Sequence, residues 1–206
     1  MLLTVSDLSV SRGGRILLQG VSFDLLAGQV VFLNGKNGIG KTSLLRTLAG
    51  LQAAEIGDIT VSQNSMVYSA HLDGIKPMLS VAENLQFWAA VFGTSVFDEA
   101  LDTFELSEYR NVMGGALSAG QKRRLGLARL VIAERSIWLL DEPTVSLDLA
   151  SVNRFSKVLN AHLGAGGGAI IATHTALETN GLQRTIDLNE CAAGRLNLSA
   201  SEEAFL

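Results

Sequence analysis

Residues 29–51, QVVFLNGKNGIGKTSLLRTLAGL, restrict the possible folds more than any other stretch of the chain. QVVFLN is a continuous apolar run that stops at glycine, as a strand covered on both faces does, and such strands belong to parallel sheets. TSLLRTLAGL has helical spacing and a glycine near its end. Between them GKNGIGKTS at 35–43 (Gly35, Lys36, Asn37, Gly38, Ile39, Gly40, Lys41, Thr42, Ser43) fills the pattern G-x-x-x-x-G-K-[ST] in full. Glycines at three places let the backbone curl, so that its N–H groups face phosphate oxygens. The helix that starts near Lys41 adds its positive end. Lys41 brings a charge to the β- and γ-phosphates of a bound nucleotide, and Thr42 a hydroxyl for Mg²⁺. A glycine-rich turn alone says little, but here the strand and the helix stand on either side.

The rest of the chain fits the same architecture. LLTVSDLSV and GVSFDLLAGQ alternate apolar and polar residues, as half-buried antiparallel strands do. GDITVSQN and SMVYSA read as two short strands, and SIWLLDEP and GGAIIATHT as buried ones. The helix LASVNRFSKVLNAHLGA joins the last two, through a GAGGG turn at 164–168. Strand, helix, strand in repetition predicts an α/β fold with a parallel core. The early alternating strands predict an added antiparallel sheet. LSVAENLQFWAAVFG, SVFDEALDTFELSEY and SAGQKRRLGLARLVIAE read as helices, the last with Lys122, Arg123, Arg124 and Arg129 along it. Helices from about 80 to 134 are expected to form a small lobe within a single domain covering 1–206. SIWLLDEP is expected beside QVVFLNG. That places Asp141 at a strand end, able to hold Mg²⁺ through water, with Glu142 next to it to orient the water that attacks a γ-phosphate or take its proton.

Composition excludes some alternatives. A net charge of −4 over 206 residues gives no bulk drive toward nucleic acid. One cysteine, Cys191, makes no internal disulfide and fits a reducing compartment as a half-buried spectator. The N-terminus lacks the pattern of a signal peptide. No run reaches the roughly 18 apolar residues that span a bilayer, so a membrane role is expected to come through a partner.

LSAGQKRR at 117–124 resembles the signature LSGGQ-x-x-R of ATP-binding cassette proteins, with Ala119 in place of the first glycine. DEPTVSLD at 141–148 resembles the run from the magnesium-binding strand into the D-loop. IIATHT puts His174 at the switch-histidine position. The resemblance covers about residues 2 to 190. It implies the cassette ATP-binding fold: a parallel core sheet, an antiparallel β subdomain and a small helical subdomain. It implies hydrolysis of ATP with Mg²⁺ by a homodimer on integral-membrane permease subunits. In that family two copies pack head to tail, and Ser118, Gly120 and Gln121 of one copy, with Asp148 of its D-loop, face the nucleotide held by the other. Glu142, His174 and Lys41 are the catalytic expectations, Thr42 and Asp141 the metal ones. Ser118 with Gln121 three residues on also reads as a helix capping box, and the two roles are compatible. A histidine at a strand end, standing alone, is more often a cap than a catalytic group. His162, within its helix, carries no expected role.

Two positions depart from the family pattern. Where an aromatic residue usually stacks on adenine this chain has Arg12, with Arg15 nearby; a guanidinium plane can also stack on a base. In YSAHLDGIKP, residues 68–77, His71 stands at or beside the position of a glutamine that reaches Mg²⁺ and the attacking water. Taken alone the stretch could be a metal ligand set, an acid/base pair or a polar loop. A neutral imidazole can replace the glutamine, with more pH sensitivity. The stretch leads into LSVAENL, and in this it is similar to the haem-exporter ATPases of cytochrome c maturation. That likeness implies a peripheral subunit on the cytoplasmic face of the bacterial inner membrane, with partners like haem exporter proteins B and C, whose hydrolysis drives release of a haem-loaded chaperone. Residues 71–76 would pass the nucleotide state to the membrane partner. The alternative is the ATPase subunit of another small-molecule transporter. A ribosome- or DNA-directed cassette protein usually has two cassettes or a long coiled-coil insertion, and neither is seen.

Overall fold

The computed structural model describes residues 1–63, 65–70, 73–95 and 97–193; His71 and the expectation attached to it lie outside the described residues. Two sheets form the framework. The antiparallel one has the order β2-β1-β4, from β1 (Leu3–Arg12), β2 (Arg15–Leu25) and β4 (Ile56–Val61). β2 begins five residues before GVSF, because RILLQ continues the ladder across the tight Gly13–Gly14 turn, with Arg12 opposite Arg15. The parallel sheet has the order β5-β6-β7-β3-β8. Its strands are β3 (Gln29–Asn34), β5 (Met66–Ser69), β6 (Ile137–Asp141), β7 (Gly168–Ala172) and β8 (Leu182–Asp187).

The unbroken apolar runs are explained by two cores, one on each face of the parallel sheet. Val31, Leu33, Leu139 and Ile170 face the antiparallel sheet and Leu44, Leu45 and Leu48 of helix α1 (Lys41–Leu48). Their neighbours Val30, Trp138, Leu140, Ala169 and Ile171 face the other way, toward α2 (Val81–Phe92), α4 (Ala119–Ala133) and α5 (Leu149–Gly164). Alternate residues fill opposite cores, so no interior position of a central strand is free to be polar; the polar residues Gln29, Asn34 and Asp141 stand at strand ends.

Two local expectations need correction. SIWLLDEP does not lie beside QVVFLNG: β7 is inserted between them. Chain order gave no sign of this, because the strand that completes the sheet is supplied only after α5. Among its described residues the region SVFDEALDTFELSEY is α-helical only over α3 (Asp98–Thr103), followed by a 3₁₀ turn at Ser107–Tyr109. Phe104 and Leu106 are both buried, a spacing of two that a continuing helix cannot serve, and Glu105 between them takes φ of 50°.

α2 is capped by a box between Ser80 and Glu83 and ends at Gly93 in the left-handed region. Buried Asn84 accepts from the Lys76 N–H and donates to the carbonyls of Lys76, Leu79 and Ser80, tying the segment before the helix to its first turn. Among the described residues no helix is long and apolar enough to cross a membrane.

Candidate nucleotide site

The site lies at the carboxyl ends of β3, β6 and β7, where ligands of open parallel sheets bind. Asn34 ends β3 and turns its side chain back to accept the Gly35 N–H at 2.9 Å. Gly38 and Gly40 then adopt φ of 80° and 121°. A side chain at Gly40 would be strained in that conformation and would press on Leu17 and Leu18 at 3.2–3.3 Å. Gly40 is also the N-cap of α1 and offers no side chain to its first turn. The leading amides of the helix are therefore left for an anion. Lys41 curls over the loop, with Nζ 2.7 Å from the Gly35 carbonyl oxygen. Ser43 is buried beneath the loop, and Ile39 packs into the core.

Although β7 separates β3 from β6, α1 spans the gap. The Thr42 hydroxyl donates to Asp141 Oδ2 at 2.8 Å. Tyr68, on the neighbouring β5, directs its hydroxyl to the same oxygen at 3.4 Å. Burial first, and then the charge of Asp141, push the Tyr68 phenol up to about 12, so it remains a donor. Asp141 is only 4% exposed. The next residue, Glu142, leaves the strand with φ of 50° while its N–H still bonds the Ala172 carbonyl at 2.8 Å. His174, past the end of β7, places Nε2 2.9 Å from Asn37 Oδ1 and 3.6 Å from Glu142 Oε1. Arg12, Asn37, Lys41, Thr42, Asp141 and Glu142 all line one cavity of about 300 Å³.

Hard oxygen donors from Thr42 and Asp141 side by side suit Mg²⁺ held by few protein groups and by substrate phosphates. Among the described residues no cluster of three His, Cys, Asp or Glu side chains stands ready to bind a metal without such help.

Ser118, Gly120, Gln121 and Asp148 are not brought to this cavity. Ser118 caps α4: its hydroxyl accepts from the Gln121 N–H at 3.3 Å, and Gln121 Oε1 accepts from the Ser118 N–H at 2.8 Å. Asp148 caps α5 by accepting the Ser151 N–H at 2.8 Å, and that hydrogen bonding holds its carboxyl below the usual range. Gly120 and the Ser146 carbonyl lie so close that an added Cβ would stand at 3.1 Å. Ser118 and Asp148 are exposed, open to a surface outside the chain.

Sequence reasoning missed the part played by the arginines of α4. Arg123 and Arg129 read only as basic residues along the helix, with no role, yet they are 2% and 6% exposed. The available signal was spacing: Arg123 stands four and seven residues before Leu127 and Leu130, on the apolar stripe. A larger cavity, about 480 Å³, lies by Trp138 and His162 and includes no phosphate-loop residue.

Residues 18–145 match the family described as ABC transporter. The cytochrome c biogenesis ATP-binding export protein CcmA of Roseobacter denitrificans is 53% identical, over the full length of both chains. The CcmA of Paracoccus denitrificans is 56% identical over 85% of this chain and 84% of its own. Among solved structures, an ABC transporter ATP-binding protein from Pyrococcus furiosus superposes with a TM-score of 0.80 at 26% identity, covering 93% of this chain and 99% of that one.

Proposed function

The chain belongs to the ABC transporter family and, within it, to the cytochrome c biogenesis ATP-binding export proteins, and from that premise we propose that it hydrolyses ATP as the peripheral subunit of a membrane complex that handles haem for assembly of c-type cytochromes. The observation that carries the reading is the convergence of Lys41, Thr42, Asp141, Glu142 and His174 at one end of the sheet, in a chain matched end to end by its relative.

The chemistry is positioning and charge stabilisation. The phosphate loop and Lys41 hold the β- and γ-phosphates. Thr42 and Asp141 would hold Mg²⁺, which supplies positive charge against the phosphate oxygens. Glu142 orients a water and accepts its proton as the new oxygen–phosphorus bond forms and the bond to the β-phosphate breaks. His174 steadies Glu142 and, through Asn37, the loop. The exposed tip of α4 with Ser118, Gly120 and Gln121, and Asp148 beside it, would complete the site of a second copy, making a homodimer with two nucleotides between its halves. Arg12, on the cavity wall, would stack on the base. Integral-membrane partners like haem exporter proteins B and C would receive the motion, and a haem chaperone would be released in consequence. The location that follows is the cytoplasmic face of the inner membrane.

The test is deletion of the gene and complementation with the wild-type chain or with Glu142→Gln, reading covalent haem in c-type cytochromes and ATP turnover of the purified membrane complex. Loss of both in the deletion and in Glu142→Gln supports the proposal. Normal c-type cytochromes in the deletion would assign the ATPase to a different transporter.

A further inference from the structure

β6 ends abruptly. The left-handed φ of Glu142 turns the chain out of the sheet just after Asp141, and the carbonyls of Asp141, Glu142 and Pro143 come one after another at the point where the strand stops; the Val145 N–H reaches that of Glu142 at 3.3 Å. One side chain satisfies all three. Arg123 Nη2 donates to the Glu142 carbonyl at 2.6 Å and to that of Asp141 at 3.2 Å, and Nε donates to that of Pro143 at 2.9 Å. The remaining nitrogen, Nη1, donates to the Ala70 carbonyl at 3.0 Å and the Asp73 carboxylate at 2.6 Å. One rigid fork thus joins α4, the end of β6 and residues on both sides of His71.

We propose that Arg123 is a positioning residue for Glu142: it fixes the backbone from which the carboxylate projects, and Asp73 holds the guanidinium in register, so that a shift of Ala70 and Asp73 moves Glu142. The proposal rests on the hydrolysis reading above and deepens it. Glu142 is poised by its backbone because the left-handed conformation is unfavourable for a residue with a side chain and persists only when its surroundings over-determine it. A planar fork with five donors can bind four carbonyls and a carboxylate together; an ammonium cannot cover the same set in fixed directions. Further contacts support the same segment. Arg129 donates to the carbonyls of Tyr68 and Asp73. Between the two arginines Gly126 leaves just the room that Asp73 occupies, since a Cβ there would meet its Oδ1 at 2.6 Å.

The experiment compares Arg123→Lys and Asp73→Asn in the purified membrane complex, each alone and combined with Glu142→Gln. It reads single-turnover phosphate release from labelled ATP, KM, affinity for a fluorescent ATP analogue, and melting temperature. Misplacement of a catalytic group by a fraction of an ångström is expected to lower kcat by roughly 10- to 100-fold. KM and nucleotide affinity stay within about twofold, because the phosphate loop is untouched, and no further loss occurs in the Glu142→Gln background. Asp73→Asn preserves side-chain shape and carries the test if Arg123→Lys does not fold. An unchanged kcat in folded Asp73→Asn, a loss confined to KM, or an equal fold loss with and without Glu142 overturns the inference while leaving ATP hydrolysis standing. Absence of turnover in the wild-type complex overturns the hydrolysis reading itself, and this inference with it.

Discussion

Thr42 and Asp141 are joined by a 2.8 Å hydrogen bond that passes over the end of β7, linking the helix after β3 to a strand that is not its neighbour. Among the described residues the bond gives a buried carboxylate one of two side-chain donors, the other being Tyr68. Thr42→Val keeps the shape of the side chain and removes the hydroxyl. Stability should fall by about 1–3 kcal/mol, the range for a buried acceptor that loses a partner. The larger effect is on metal use: the magnesium concentration for half-maximal ATPase activity should rise by roughly 10- to 100-fold. A magnesium titration of turnover, beside a denaturant melt, separates the two.

Glu142 sits between Asp141 and the turn, with His174 3.6 Å from its carboxylate. Glu142→Gln retains the size and removes the proton acceptor. Turnover should drop by about 10²–10⁴-fold, the usual contribution of a general base, while ATP binding is kept. His174→Ala should lose less, because it acts on Glu142 and on Asn37 rather than on the proton itself. Pre-steady-state phosphate release and equilibrium nucleotide binding on the same preparations check both.

Much of this site was legible in the sequence, and the physics says which part. The phosphate loop is a local device: strand, glycines, lysine and helix lie within 23 residues, and backbone conformation alone gives it meaning. The capping boxes of Ser80 and Ser118 are local in the same way. The insertion of β7 between β3 and β6 was not legible, because parallel strands pair only after a crossover and the order of neighbours is decided by the whole sheet. Arg123 was not legible either. Its meaning depends on three carbonyls about 20 residues away and on Asp73 50 residues away. Charge on a helix reads as solvated until tertiary packing covers it.

Gly126 gives a prediction about packing. Replacing a helical glycine by alanine in the open would gain about 1 kcal/mol from propensity. At Gly126 the new Cβ would stand 2.6–2.9 Å from three atoms of Asp73, which the buried Arg123 holds in place. Overpacking of this kind costs about 1–3 kcal/mol, so Gly126→Ala should be destabilising on balance. Chemical denaturation is the measure, and a gain in stability would show that the 73 segment is free to move away.

His162 gives a prediction in pH. Its ring stacks on Trp138 with centroids 3.9 Å apart and planes 9° from parallel, and Nε2 donates to the Gly168 carbonyl at 3.3 Å. Burial pushes its pKa below the ordinary 6.5. The protein therefore holds the imidazole neutral, and unfolding releases it to bind a proton. Where the unfolded chain binds more protons, stability rises with pH. The contribution of His162 is thus complete above about 6.5 and is lost as pH falls toward the folded value. The slope is at most about 1.4 kcal/mol per pH unit for one proton. The Glu83 and Asp148 carboxyls, both held below their ordinary 4.5 and 3.8, lose their contributions only in a more acidic range. Between pH 7 and 5 the wild-type chain should lose stability that His162→Phe, which keeps a ring on Trp138 but cannot titrate, does not lose. Denaturant midpoints of the two chains across that window give the comparison, and parallel curves would exclude His162 as the source.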